Sequence, residues 1–216
     1  AYIVNEAGRS ALRLMDARTQ RNLPAPQLPP GIVGGVEFDD ASRRIGFTLN
    51  SATAPGDVYS WDTRTRELTR WTQSETGGIP SSTFVEPELI SWRSFDGREI
   101  TGFLYRPRTP GPHPVIINIH GGPEAQFRPG FSSTIQYWVN ELGVAVIGPN
   151  VRGSDGYGKD FLALDNAERR EDSVRDIGAL LDWIGAQDTL DDDRVVVYGG
   201  SYGGYMVLDS MTHYND

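Results

Sequence analysis

The chain has 216 residues, 38% of them hydrophobic, and its 20 basic and 29 acidic side chains give a formal charge of −9. That is enough apolar material for one large or two small cores, while the acidic balance disfavours a nucleic-acid partner and an anionic membrane surface. No run approaches the roughly 20 apolar residues of a membrane helix, and the absence of cysteine excludes disulfides and thiolate ligands.

The start, Ala1-Tyr2-Ile3-Val4-Asn5-Glu6, is too polar for a signal peptide, and with no cysteine it fits a cytoplasmic protein. Residue 1 is not methionine, so the true N-terminus is expected to lie upstream. The first third then carries a repeat: Asp16-Ala17-Arg18-Thr19 returns 46 residues on as Asp62-Thr63-Arg64-Thr65. Each copy follows an alternating, strand-like stretch, Leu12–Met15 and Val58–Trp61. Arg44–Leu49 reads as a further strand, and Pro29-Pro30-Gly31 and Pro55-Gly56-Asp57 as turns. Short strands at this period fit blades of a β-propeller; a chance echo of an Asp-x-x-Thr turn is the alternative.

From Glu86 the texture changes. Ser91–Phe95 and Glu99–Tyr105 flank Asp96-Gly97, a hairpin signal. Val115–Ile119 and Val144–Ile147 are apolar runs suited to strands buried on both faces, with a helix predicted between them over 132–142. A stronger helix is predicted over 172–186, where Val174, Ile177, Leu180, Leu181 and Ile184 make one apolar stripe. Asp191-Asp192-Asp193 reads as a solvated turn, and Arg194–Tyr198 as the strand that follows. The order of elements is that of an α/β sheet.

That last strand runs into Gly199-Gly200-Ser201-Tyr202-Gly203-Gly204. G-x-S-x-G between a strand and a helix describes a nucleophile elbow, whose tight turn lifts one serine hydroxyl clear of the sheet. Gly199 and Gly203 would leave the room that strand and helix need to approach. A glycine-rich turn here also fits a nucleotide-binding loop, but the second glycine of G-x-G-x-x-G is missing and no Gly-Lys-Ser/Thr follows. Upstream, His120-Gly121-Gly122-Pro123 ends the run 115–119. Acyl transfer through a serine ester needs amides to receive the developing negative oxygen: one from the residue after the nucleophile, one from a loop after an earlier strand. The Tyr202 amide is the first candidate and that of Gly122 the second, with Gly121 as its alternate.

The remaining polar residues read as scaffold. His120 precedes the serine and ends a strand, so a loop-orienting role is expected rather than that of a catalytic base. His113, between two prolines, reads as a surface turn residue, and His213 is carried away from Ser201 along the following helix. Asp172 and Asp176 suit the start of a helix. Arg152 is expected to pair with a carboxylate or support a loop. No His or Cys clusters with Asp191–Asp193, so no metal site and no cofactor are expected.

Three segments together, His120-Gly121-Gly122-Pro123, Asn150-Val151-Arg152-Gly153-Ser154-Asp155-Gly156-Tyr157-Gly158 and Gly199–Met206, resemble the consecutive signatures of the prolyl oligopeptidase family, above all its acylaminoacyl-peptidase and dipeptidyl-peptidase-like branches. The resemblance implies an α/β fold: residues 1–85 as the last blades of a β-propeller and 86–216 as the N-terminal half of an α/β-hydrolase catalytic domain. It implies a serine peptidase acting on short peptides, with Ser201 as nucleophile. Several members place a tyrosine hydroxyl where His120 stands, which leaves the Gly122 amide as the oxyanion donor. The triad Asp and His would follow the elbow, so the chain is expected to be a fragment, inactive and aggregation-prone alone, with the elbow strand left at a sheet edge. A carboxylesterase- or lipase-like hydrolase, or a non-catalytic propeller scaffold, are the other readings.

Overall fold

Short strands, the most regular of them alternating in burial, build the first part of the chain. In the computed structural model, which describes residues 1–214, Tyr2–Glu6 (β1), Arg9–Met15 (β2) and Asn22–Leu23 (β3) form a three-stranded antiparallel sheet. Ile32–Phe38 (β4), Arg44–Ser51 (β5), Ala54–Asp62 (β6) and Leu68–Arg70 (β7) follow as a four-stranded antiparallel meander. Period-two spacing sends Ile45, Phe47 and Leu49 of β5 to one buried face. There they join Leu12 and Leu14 of β2, Val33 of β4 and Trp61 of β6 in one apolar cluster.

The sequence repeat is a repeated turn. Asp16 follows β2 and Asp62 ends β6, and each carboxylate Oδ1 accepts the amides two and three residues on: Arg18 at 2.9 Å and Thr19 at 2.7 Å, Arg64 and Thr65 both at 2.9 Å. The chain then closes through a left-handed residue, Gln20 (φ 57°) in one copy and Arg66 (φ 62°) in the other. An aspartate that satisfies two turn amides is the physical content of the motif. These bonds hold both carboxyls below the usual range.

The first compact unit comprises Ala1–Phe84 with Pro129–Ser132; the second comprises Val85–Arg128 and the described residues from Ser133 on. In the second, Glu88–Arg93 (β8) and Glu99–Tyr105 (β9) form the hairpin over Asp96-Gly97. His113–Ile119 (β10), Ala145–Asn150 (β11) and Leu190–Gly199 (β12) complete a mixed sheet in the order β12-β10-β11-β9-β8, with β10 parallel to both β11 and β12. β11 is buried along its whole length. Ser133–Asn140 (α1) precedes it, and Lys159–Leu162 (α2), Asp172–Gly185 (α3) and Tyr202–His213 (α4) come after. On α3, Val174, Ile177, Leu180 and Ile184 are buried as the stripe predicts, with Leu181 half-buried beside them. At about 1.5–3 kcal/mol per buried side chain, that stripe outweighs the helix propensity of its residues.

Two local expectations need correction. His113 is no surface residue: it opens β10, is 5% exposed, and its ring nitrogens face the carbonyls of Gly143 (3.1 Å) and Thr109 (2.9 Å). Its proline neighbours suggest a turn, but its amide bonds the Thr189 carbonyl at 3.0 Å as part of the strand, whose alternation puts the ring on the buried face against the Gly143 carbonyl. Asp191–Asp193 lie within β12 rather than before it. No helix among the described residues is long and apolar enough to cross a membrane.

Candidate active site

Parallel pairing decides where the site forms. β10 and β12 run side by side in one direction, with Ile117 opposite Val197 and Ile119 opposite Gly199. The segments leaving their C-terminal ends, His120–Pro123 and Gly200–Tyr202, therefore emerge together, at the end of the sheet where α/β folds bind ligands.

The elbow is held by close packing. A Cβ on Gly199 would stand 2.7 Å from the Gly203 carbonyl carbon, and one on Gly203 would overlap the Ile119 carbonyl oxygen. Any larger residue would push α4 off the sheet. The turn leaves Ser201 at φ 57° and ψ −123°, a conformation that costs a non-glycine residue about 1–3 kcal/mol. Its side chain is exposed. Ser201 occupies the N-cap of α4 without capping it through its hydroxyl; its carbonyl accepts from Gly204 (2.9 Å) and Tyr205 (3.2 Å) instead.

The oxyanion candidates divide as follows. Gly121 lies against the serine: a Cβ there would stand 3.6 Å from Ser201 Cβ and 4.0 Å from its Oγ. Gly122, one peptide further on (φ 135°), is surrounded most closely by its own loop, the amides of Glu124 and Ala125. Neither the Gly122 amide nor the Tyr202 amide has a hydrogen-bond acceptor among the described residues.

His120 fixes the loop between them. Burial pushes its pKa below the ordinary value of 6.5, against the pull of the Gly121 carbonyl, so the ring is neutral at neutral pH. Nδ1–H donates to Gly121 O at 2.6 Å, and Nε2 faces the Ser154 hydroxyl at 2.9 Å, which also lies 2.6 Å from the Val151 carbonyl. In a planar trans peptide N–H and C=O point in opposite directions. Anchoring the Gly121 carbonyl therefore also sets the aim of the Gly122 N–H.

Tyr202 offers a side chain as well as an amide: its hydroxyl lies 2.8 Å from Ser173 Oγ and 3.1 Å from Asp165 Oδ2. Neither partner was singled out by sequence, because each is a lone polar residue far from the motif it touches. Arg152 is 3% exposed and pairs with the fully buried Asp176 (Nη2 to Oδ1, 2.8 Å) and with Asp96 (3.2 Å). Ser94 donates to the same Asp176 oxygen at 2.5 Å, and the Arg152 ring neighbour is Phe95, 4.4 Å from the guanidinium carbon. Burial works against the Arg152 charge, but the bonds and charges of Asp176 and Asp96 more than offset it and raise its pKa. Asp176 is thus the counter-ion of Arg152 rather than a helix-dipole residue, while Asp172 does lie in the first turn of α3. His213, in the last turn of α4, is half-exposed beside Asp209. Among the described residues no group of three His, Asp or Glu side chains could hold a metal.

An α/β-hydrolase-type sheet with a nucleophile elbow, preceded by antiparallel propeller-type sheets, is the class that this fold and site define. Residues 129–216 match the sequence model of the Prolyl oligopeptidase family. Dipeptidyl aminopeptidase BIII of Pseudoxanthomonas mexicana is 30% identical over 184 residues, covering 81% of this chain and 26% of that protein. Prolyl oligopeptidase A of Galerina marginata is 26% identical over 214 residues, covering 95% of this chain and 27% of that protein. The solved acylaminoacyl peptidase of Pyrococcus horikoshii superposes with a TM-score of 0.80 at 27% identity, over 99% of this chain and 33% of that one. The chain belongs to the prolyl oligopeptidase family, and it spans about a quarter to a third of the length of these relatives.

Proposed function

We propose that the protein carrying this chain is a serine peptidase that hydrolyses short peptides through an acyl-enzyme, with Ser201 as nucleophile. The observation that supports this reading is the exposed Ser201 in its strained elbow with Gly121 packed against it, while the amides of Gly122 and Tyr202 are engaged by no acceptor among the described residues. Ser201 Oγ attacks the peptide carbonyl, whose oxygen gains negative charge and collects the two N–H groups. Each such donor is worth about 10²–10³ in rate. The amine then leaves, and water hydrolyses the ester.

The hydroxyl needs a base to take its proton. His120 is committed to the Gly121 carbonyl and Ser154, and His113 sits at the opposite end of β10, about 20 Å away along the strand. His213 is three turns along α4, about 18 Å on. By the family resemblance, base and orienting acid are assigned to the part of the intact protein that follows the elbow. In the same reading residues 1–85 are the C-terminal part of a β-propeller and 86–216 the first half of the catalytic domain. Peptide substrates fit the relatives: an acylaminoacyl peptidase is known in complex with Z-Gly-Gly-Phe-chloromethyl ketone, and a prolyl oligopeptidase B of Galerina marginata with a 35mer substrate.

The test is turnover of peptide p-nitroanilides by the intact protein. Ser201→Ala should lower kcat by about 10⁴-fold or more. Peptide turnover that survives the substitution, or a wild type that hydrolyses simple esters and no peptide amide, contradicts the proposal.

A further inference from the structure

A cluster outside the three sequence signatures grips Tyr202. Its phenol lies 2.8 Å from Ser173 Oγ and 3.1 Å from Asp165 Oδ2. Arg170 binds the same carboxylate oxygen at 2.5 Å and places its guanidinium carbon 5.4 Å from the Tyr202 ring centre. Asp165 is fully buried, and its other oxygen, Oδ1, has no hydrogen-bond partner among the described residues. That carboxylate fills the space a side chain on Gly153 would need, and Gly153 itself has φ +90°. The aspartate therefore bridges two signatures: it packs on the glycine of the 150–158 loop and bonds the tyrosine of the elbow.

Stability alone does not account for this residue. A buried acceptor left unsatisfied is a substantial penalty, larger when the group is charged, and an exposed Asp–Arg pair would avoid it. What the arrangement gains is control of Tyr202. Burial pushes the phenol's pKa up, with Ser173 and Arg170 pulling it down, so the hydroxyl keeps its proton and acts as a donor. Ser173 Oγ also reaches the Arg170 carbonyl at 2.7 Å, so the cluster ties the start of α3 to the start of α4. An aromatic side chain has only two rotatable bonds; fixing its far end fixes its Cα. Tyr202 directly follows the strained Ser201, and a strained turn persists only when its neighbours over-determine it.

We propose that Asp165 is a positioning residue for acyl transfer: through the Tyr202 phenol, and together with Ser173, it holds the first turn of α4 so that the Tyr202 amide faces the oxygen that becomes negative. This rests on the reading of Ser201 as nucleophile and the Tyr202 amide as oxyanion donor.

The test compares wild-type intact protein with Tyr202→Phe, Asp165→Asn and the double variant. Three quantities are read: kcat and KM for a peptide p-nitroanilide, the inhibition constant of a peptide aldehyde, to which Ser201 Oγ adds to form an oxyanion-like adduct, and that of the product peptide. Each single variant should lose about 10- to 100-fold in kcat with KM unchanged. Aldehyde affinity should weaken in parallel while product affinity holds, and the double variant should be no worse than the weaker single one. Full kcat and aldehyde affinity in Tyr202→Phe, or losses that multiply in the double variant, would overturn the proposal. Tyr202→Phe removes a single oxygen, so it decides the matter even where Asp165→Asn fails to fold. A wild type that neither cleaves the peptide nor binds the aldehyde overturns the serine-peptidase reading itself, and this proposal with it.

Discussion

Ser201 sits in a backbone conformation that a serine adopts only under constraint, and the constraint is steric. Gly199 and Gly203 allow main chain to lie on main chain, so the turn has no slack. Polar control enters from the neighbouring loop after β10, where His120 anchors the Gly121 carbonyl. This has a pH signature. Burial lowers the folded His120 pKa below 6.5, so below pH 6.5 the unfolded chain binds more protons than the folded one. Stability is therefore complete above that value and is lost as pH falls toward the lower folded pKa. In the intact protein His120→Gln should show a smaller drop in Tm between about pH 7.5 and about pH 5.5 than wild type, measured by calorimetry; an equal or larger drop would show that His120 is not the titrating group. The glycines and Ser201 were legible in the sequence because a steric demand dictates residue type at fixed spacing. Asp165 and Ser173 were not, since their role depends on a contact 29 to 37 positions away.

Among the elements, α3 is joined to the sheet by two means. Its apolar stripe was readable from periodicity; its ionic tie was not. Arg152, in the loop after β11, meets Asp176 of α3 and Asp96 of the β8–β9 hairpin, and Trp92 Nε1 donates to the Asp176 carbonyl at 3.1 Å. From sequence, Arg152 stands between a carboxylate partner and a loop-supporting role, and Asp176 is not linked to it because helix-start aspartates have a sufficient local explanation. Removing one member of a buried pair strands the other charge, so Asp176→Ala should destabilise the fold by about 3–5 kcal/mol in urea unfolding. A cost under about 1 kcal/mol, the range of exposed pairs, would mean the network is solvated. The hairpin turn at Asp96-Gly97 and the repeated turns at Asp16 and Asp62 were legible, since each is satisfied within a few residues; the burial of His113, set by the distant carbonyl of Gly143, was not.

The described chain comprises two compact units. The first unit's repeat and four-stranded meander, and the second unit's β12-β10-β11-β9-β8 sheet, were anticipated as propeller blades followed by an α/β sheet. β12 forms an edge of the described sheet, with Val196 57% and Tyr198 52% exposed, and Leu208 and Met211 of α4 are exposed as well. All of the proposed chemistry converges at the strand end where β12 meets α4. The most direct measurement is to treat the intact, folded protein with a fluorophosphonate and locate the adduct by peptide mass spectrometry. With Ser201 as nucleophile, one phosphonylated residue, Ser201, is expected, and no labelling of Ser201→Ala. An adduct on a different serine, or labelling that persists in the variant, would contradict that assignment.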